Sequence, residues 1–188
     1  MIDRDLKRSL GQLMNSVQVV GASHAGAEHL YCSHWVTQVA FDEPIVMASV
    51  SPKHDTHALI VESKRFSVSL LAADQVAEGQ YFSYPGRRFR KLAGEYVEPW
   101  EGLPIVRNAI AYLACEWFER KPMADHDLFF ARVVTVREGR LREPPLLYSS
   151  RLGWRAAGDK AREPGTSIRD RLLERLAALG LDDPGGDD

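Results

Sequence analysis

Long apolar runs are absent from this chain. No stretch approaches the ~20 residues that a membrane-spanning helix needs, so neither a span nor a membrane partner is expected. Cysteine is scarce. Cys32 and Cys115 are the two present, far apart, with no Cys-x-x-Cys pair and no zinc-ligand spacing. Free thiols in a cytoplasmic setting are therefore expected. The opening MIDRDLKRSL is charged and lacks the apolar centre of a secretory signal. An excess of one charge is lacking too: 24 Lys and Arg stand against 26 Asp and Glu, for a net charge of −2. The basic residues are scattered, which gives no electrostatic reason to expect nucleic acid. Gly-x-Gly-x-x-Gly is also missing, so a dinucleotide would not be held in the usual strand–turn–helix crossover.

What is present is a globular composition. Hydrophobic residues make up 45% of the 188, enough for one domain with a substantial core. Ile2, Leu6, Leu10 and Leu13 recur at helical spacing and predict an amphipathic helix over 2–14. SVQVVGA predicts a strand, SHAGAE a turn with Gly26 at its bend, and 29–40 an extended segment rich in sheet formers. Pro44 ends that segment, and a strand follows over 45–51. Asp55 or Thr56 is expected to cap a helix reaching Glu62. RFSVSLLA alternates, with Phe66, Val68 and Leu70 on one side and Ser67 and Ser69 on the other. Asp74 is expected to cap a second helix, DQVAEGQYFS.

Residues 83–108 carry Pro85-Gly86, Gly94, Pro99-Trp100, Gly102 and Pro104. Such a density of breakers predicts a long irregular excursion that covers a ligand or a partner subunit. AIAYLACEWFER, HDLFFARVVTVREGR and PLLYSS read as strands, with Pro122 breaking the chain between the first two. Ile168, Leu172, Leu176 and Leu179 share one face of a helix over 166–180, which Gly180 ends; 181–188 reads as a solvated tail. Strands joined mostly by turns argue for a mainly β fold, an antiparallel barrel with peripheral helices, and against a doubly wound sheet. The main domain is expected over 1–165, with the 166–180 helix part of it.

The candidate chemistry gathers in YCSHWVTQVAFDEPIVMASVSP. Cys32, Ser33, His34, Thr37 and Gln38 surround Trp35 directly beside an apolar strand. One reading is a polar edge strand. A second is a metal site, because Cys32 and His34 at i, i+2 point to one side of a strand and His24 and His29 are near; no spaced partner motif completes a tetrahedral set. A Cys–His nucleophile pair needs a bend that the pattern does not supply. A third reading is a cradle for a flat heteroaromatic ligand, whose acceptors need N–H groups and small polar side chains along one edge. Ser49, Ser51, Lys53 and Thr56 run from a strand end into a helix start, as a phosphate would require. Asp125 and His126 fall at a loop-to-strand junction, where an imidazole can bond a carboxamide or relay a proton. Arg87, Arg88, Arg90 and Lys91 form a basic run, either a solvated face or a contact for phosphate or a partner.

The order of these motifs resembles the flavin reductase-like family. YCSHWVTQVAFDEPIVMASVSPKHDTHALIVESKRFSVSLL is similar to its signature region. QYFS is similar to its Phe-Ser after the second helix, GLPIVRNAIAYLACEWFER to its Gly-x-Pro and Cys strand, ADHDLFFARVV to its Gly-Asp-His strand entry, and PPLLYSS to its Pro-Leu-x-Tyr ending. The likeness spans about residues 6–155, in order, which a single short motif would not supply.

The resemblance implies an FMN-binding split barrel of the antiparallel Greek-key type, a homodimer with the flavin near the subunit interface. It implies hydride transfer from C4 of NADH or NADPH to N5 of FMN, with FAD also admissible, and delivery of reduced flavin to a partner monooxygenase. Carried over by position, Tyr31, Cys32, Ser33 and His34 lie along the isoalloxazine ring, with Gln38 on the same strand. Ser49, Val50 and Ser51 lie beside the ribityl chain, Lys53 and Thr56 near the phosphate, Phe82 and Ser83 near the cofactor, and His126 faces the nicotinamide. No metal ligand is implied. Cys32, His34, Glu43 and Ala124 depart from the family pattern. The rival readings are a non-catalytic FMN-binding or electron-carrying protein, a haem-binding barrel using His34 or His126, and a dimeric interaction domain.

Overall fold

The computed structural model describes residues 3–83 and 93–157. Residues 1–157 form one compact unit. The basic run at Arg87, Arg88, Arg90 and Lys91, the helix expected over 166–180 and the tail after it lie outside the described residues.

The elements follow in the order α1 (Arg4–Leu10), β1 (Asn15–Ser16), β2 (Gln18–His24), β3 (Ala27–Ser33), β4 (Val36–Gln38), β5 (Ile45–Val50), α2 (Asp55–Ser63), β6 (Arg65–Leu70) and α3 (Val76–Ser83). Then come α4 (Ala93–Tyr96), β7 (Val97–Trp100), β8 (Leu103–Val106), β9 (Ala111–Met123), β10 (His126–Glu138), β11 (Leu146–Ser149) and β12 (Gly153–Ala156). Seven strands form one sheet in the order β3-β2-β6-β9-β10-β5-β4, antiparallel throughout. Its edge strands, β3 and β4, are consecutive in the chain, with His34 and Trp35 between them. A flat seven-stranded sheet would hold its edges about 29 Å apart, whereas three residue steps span at most about 10 Å. The sheet must therefore curl until its edges meet. The result is a mainly β, antiparallel split barrel with Greek-key crossings and peripheral helices, as the resemblance implies.

The inner face shows why these residues fold this way. Strand β5 alternates, burying Val46, Ala48 and Val50 and turning Ile45, Met47 and Ser49 outward. Its register against β10 sets Ala48 opposite Phe129 and Val46 opposite Ala131 inside, and Met47 opposite Phe130 outside. Val20, Phe66, Val68 and, from α2, Ile60 complete this core. A second core joins Val17, Val19, Leu71, Ile105, Tyr112 and Leu146. It is closed by the small β1-β11-β12 sheet, of which β12 was not visible in the sequence.

Several expectations are corrected. Pro122 does not break β9, which continues to Met123; beyond Glu116 that strand pairs with β10 alone, so a missing N–H is tolerated there. The stretch 83–108 is not irregular throughout: its described part holds α4 and a β7–β8 hairpin whose Pro99 and Pro104 face each other. Helix α1 stops at Leu10, because the Gly11 N–H closes on the Lys7 carbonyl, and it buries none of its residues. His54, not Asp55 or Thr56, is the N-cap of α2 and makes no side-chain cap bond. Asp74 does not cap α3; it forms a two-pronged pair with Arg140 at 2.7 and 2.8 Å. Ser67 and Ser69 do face away from Phe66 and Val68, but both faces of β6 are buried. The Ser67 hydroxyl donates to the Pro104 carbonyl, and the Ser69 hydroxyl accepts from the Val106 N–H at 3.0 Å.

Candidate functional site

The seam where the sheet edges meet is also where the polar residues collect. Strand β3 ends at Ser33, whose buried hydroxyl accepts from the Trp35 N–H at 3.2 Å. This local bond turns the chain out of β3. The Trp35 carbonyl then accepts from the Ser49 N–H at 2.9 Å, which ties the seam to β5. A cavity of about 120 Å³ opens at this point. Tyr31, Cys32, Ser33, His34 and Trp35 line one side of it, Ser49 and Ser51 another, and His54 and His126 complete it. A groove of about 570 Å³ adjoins it, sharing His34, Trp35 and Ser49 and running on to Met14, Met47 and Leu128.

Each wall is held by a specific contact. Tyr31 is buried and stacks on His54, with centroids 4.5 Å apart. Burial pushes the Cys32 thiol up to about 11, a bond from the Ser83 side chain opposing it. Cys32 is thus a neutral, unreactive wall at physiological pH. His34 stacks on Tyr148 of β11 at 4.2 Å and meets the edge of Trp154 of β12. Its buried Nδ1 has no hydrogen-bond partner among the described residues, and burial holds the ring below the ordinary imidazole value. His126 begins β10 and bonds through Nδ1 to the Asp125 carboxylate at 2.9 Å. Its ring meets Trp35 edge-on at 5.1 Å. The Ser51 hydroxyl donates to the Asp125 carbonyl at 3.3 Å and accepts from the Lys53 N–H at 3.4 Å.

Of the residues singled out from sequence, the cavity brings together Tyr31, Cys32, Ser33, His34, Ser49, Ser51 and His126. The others lie off it. Gln38 is exposed on β4 and donates to the Ala40 carbonyl at 2.8 Å. Val50 is buried in the barrel core. Lys53 is exposed on the turn into α2. Thr56 is fully buried, its hydroxyl 2.6 Å from Nδ1 of His29. Phe82 is buried in the second core, and Ser83 sits behind Cys32 with its hydroxyl on the Gly79 carbonyl. Sequence reasoning missed Trp35 and His54 as lining residues, and Tyr148 and Trp154 as supports. It also missed an inward pair, His57 of α2 and Asp127 of β10, joined at 2.7 Å with both side chains nearly buried. Arg120 stands 3.8 Å from the same Asp127 oxygen. No cluster of three metal-ligating side chains exists among the described residues.

The donor set suits a polar heteroaromatic ligand with an anionic tail. It offers hydroxyls at Ser49 and Ser51, imidazoles at His54 and His126, an orphan ring nitrogen on His34, and aromatic faces. At about 120 Å³ the cavity alone is smaller than the roughly 300–1,000 Å³ of ligand pockets. The adjoining groove supplies the remaining room.

A family model described as "Flavin reductase like domain" matches residues 10–152. An NADH:riboflavin 5'-phosphate oxidoreductase from Streptomyces pristinaespiralis is 28% identical over 151 residues, covering 79% of this chain and 85% of that protein. The reductase component of a 4-nitrophenol 4-monooxygenase/4-nitrocatechol 2-monooxygenase from Rhodococcus opacus is 28% identical, covering 79% of each chain. Among solved structures, an FMN-binding protein from Thermus thermophilus, with bound p-hydroxybenzaldehyde, superposes with a TM-score of 0.74 at 26% identity, over 82% of this chain and 93% of that one. A nitrilotriacetate monooxygenase component B homologue from Mycobacterium thermoresistibile shares the fold with a TM-score of 0.76 at 23% identity, over 89% and 93%.

Proposed function

The chain belongs to the flavin reductase like domain family, and from that premise we propose that it is an oxidoreductase moving hydride from NADH or NADPH to a flavin. FMN is the flavin proposed, with FAD admissible. The observation that carries this reading is the seam cavity. Three separate segments, 31–35, 49–54 and the start of β10, converge there on groups suited to a flat acceptor-rich ring and a phosphate. Relatives at 28% identity that are named as flavin oxidoreductases and as a monooxygenase reductase component support it.

When bound, the flavin supplies the hydride-accepting ring; the protein binds, orients and excludes water. Backbone N–H groups and the Ser33 and Ser49 hydroxyls are assigned to the ring edge, with His34 and Trp35 extending the seat into the groove. Ser51 and Lys53 are assigned to the tail. The Thr56 hydroxyl is engaged by His29, which leaves the Thr56 N–H, in the uncapped first turn of α2, for the phosphate. His126, its Nδ1 fixed by Asp125, is assigned to orienting the nicotinamide and relaying a proton.

A homodimer belongs to the same proposal. Met47, Leu128 and Phe130 turn outward on β5 and β10, and Val134 and Val136 are exposed further along. The groove opens onto Met47 and Leu128, so a second subunit would complete its wall. A partner monooxygenase is proposed as the consumer of the reduced flavin. Anaerobic titration of flavin-loaded protein with each nicotinamide tests the central point: loss of the oxidised-flavin absorbance is expected. A yellow protein that neither NADH nor NADPH bleaches would favour the non-catalytic carrier reading.

A further inference from the structure

The cavity and the groove beside it have three lining residues in common, His34, Trp35 and Ser49, and these form the wall between them. At about 120 Å³ the cavity falls short of the roughly 300–1,000 Å³ of ligand pockets, whereas the groove, at about 570 Å³, lies within that range. A three-ring ligand seated in the cavity must therefore cross the wall, and part of the wall must give way. We propose that the Trp35 indole is that part: a flavin ring turns it aside, and the indole then lies stacked on the ring. This deepens the flavin-binding reading and rests on it, since Trp35 takes up its place in the seat by moving.

Of the three residues, Trp35 alone has both the size and the freedom to act as a partition. Ser49 is too small to divide two spaces. His34 is wedged, stacked on Tyr148 at 4.2 Å and against the edge of Trp154 at 5.8 Å. Trp154 has no room to retreat, because it lies over Gly79, where a Cβ would stand 2.7 Å from its ring. Trp35 is held differently. Its N–H donates to the Ser33 hydroxyl at 3.2 Å and its carbonyl accepts from the Ser49 N–H at 2.9 Å, so its side chain can turn while the main chain stays in place. The residue is 54% exposed, and its ring meets His126 by an edge, at 5.1 Å. Trp117, by contrast, is fixed through its indole N–H, which donates to the Ile60 carbonyl at 2.8 Å.

Exposed side chains change rotamer in picoseconds to nanoseconds. The partition therefore sets no limit on the rate of entry and acts through the contacts that form afterwards. Turning the indole gives up one edge contact with a single imidazole. Stacking on a three-ring system buries more apolar surface and matches the offset arrangement that aromatic pairs prefer. The same turn uncovers the ring of His126, the group assigned to the nicotinamide.

Two measurements on the intact protein test the proposal. Crystals grown without flavin and with FMN are expected to show the Trp35 indole in two rotamers, the bound ring crossing the place the indole holds here. The second measurement is the emission of bound FMN. A stacked indole donates an electron to the excited flavin and quenches it, so bound FMN should be nearly dark in the wild type. In Trp35→Leu it should be severalfold brighter, with Kd for FMN raised severalfold, whereas Trp117→Phe should leave it dark. FMN bound with the indole in its present rotamer, or equally dark in Trp35→Leu, overturns the partition and keeps the flavin reading. FMN taken up by Trp35→Leu but not by the wild type shows a fixed wall and overturns the partition too. Neither protein taking up FMN overturns the flavin reading itself.

Discussion

Ala124 shows at the scale of one residue how a family position translates into backbone physics. It sits at the β9–β10 turn with φ +53, in the left-handed region that disfavours a Cβ by about 1–2 kcal/mol. The resembling family places Gly there. Ala124→Gly is therefore expected to raise unfolding stability by about 1 kcal/mol, the strain relieved less the added chain entropy, as read from urea denaturation. The neighbouring Asp127 is the opposite case. Its carboxylate is nearly buried and depends on His57. Asp127→Ala should cost about 1–3 kcal/mol in the same assay, because it leaves the nearly buried His57 ring without its hydrogen-bond partner. The same loss should largely vanish in a His57→Leu background. His126 was legible as a candidate because a turn precedes it, but that turn is made at Ala124 and Asp125 and not by Pro122, which stays inside β9. His54 was not, because nothing local distinguishes a cavity-lining histidine from an exposed one. Its position is set by stacking on Tyr31, 23 residues earlier.

Elements whose partners are close in sequence were the easier to read. The β2–β3 hairpin is announced by Ala25-Gly26, both at positive φ, and β5, which pairs with the preceding β4, by the apolar run that starts after Pro44. Elements that depend on distant neighbours were not. The serine face of β6 looks like a solvent face until the β7–β8 hairpin covers it, its Pro104 carbonyl accepting from the Ser67 hydroxyl and its Val106 N–H donating to the Ser69 hydroxyl. The prolines at 99 and 104 read as breakers because their cross-strand pairing cannot be seen locally. That hairpin also comes close to β2: a Cβ at Gly21 would collide with the Pro104 carbonyl, a backbone atom that cannot swing aside. Gly21→Ala should thus destabilise by about 1–3 kcal/mol through overpacking. Circular dichroism would show a lowered Tm with an unchanged folded baseline.

For the whole molecule, two expectations follow from burial and exposure. His34 and His54 are held below the ordinary value of 6.5 by burial. The unfolded chain then binds protons that the folded one refuses, so stability falls as pH drops below about 6.5 and is level above it. The Tm should be constant from about pH 7 to about pH 8 and decline in acid, less so in His34→Gln. At the outer face of β10, Val134 and Val136 are exposed, at 46% and 64%. If the proposed homodimer forms through this face, Val134→Asp should sediment as a monomer where the wild type sediments as a dimer, with the fold intact, and should weaken flavin binding. Alternation, turns and motif order are local patterns, so the class of fold and the candidate segments were legible in the chain alone. Which of those residues meet depends on closure between distant strands. The edges of a seven-stranded sheet are joined by His34 and Trp35 alone, so the sheet must curl, and that closure places 31–35, 49–54 and His126 around one cavity. It leaves Gln38 outside and turns Thr56 toward His29.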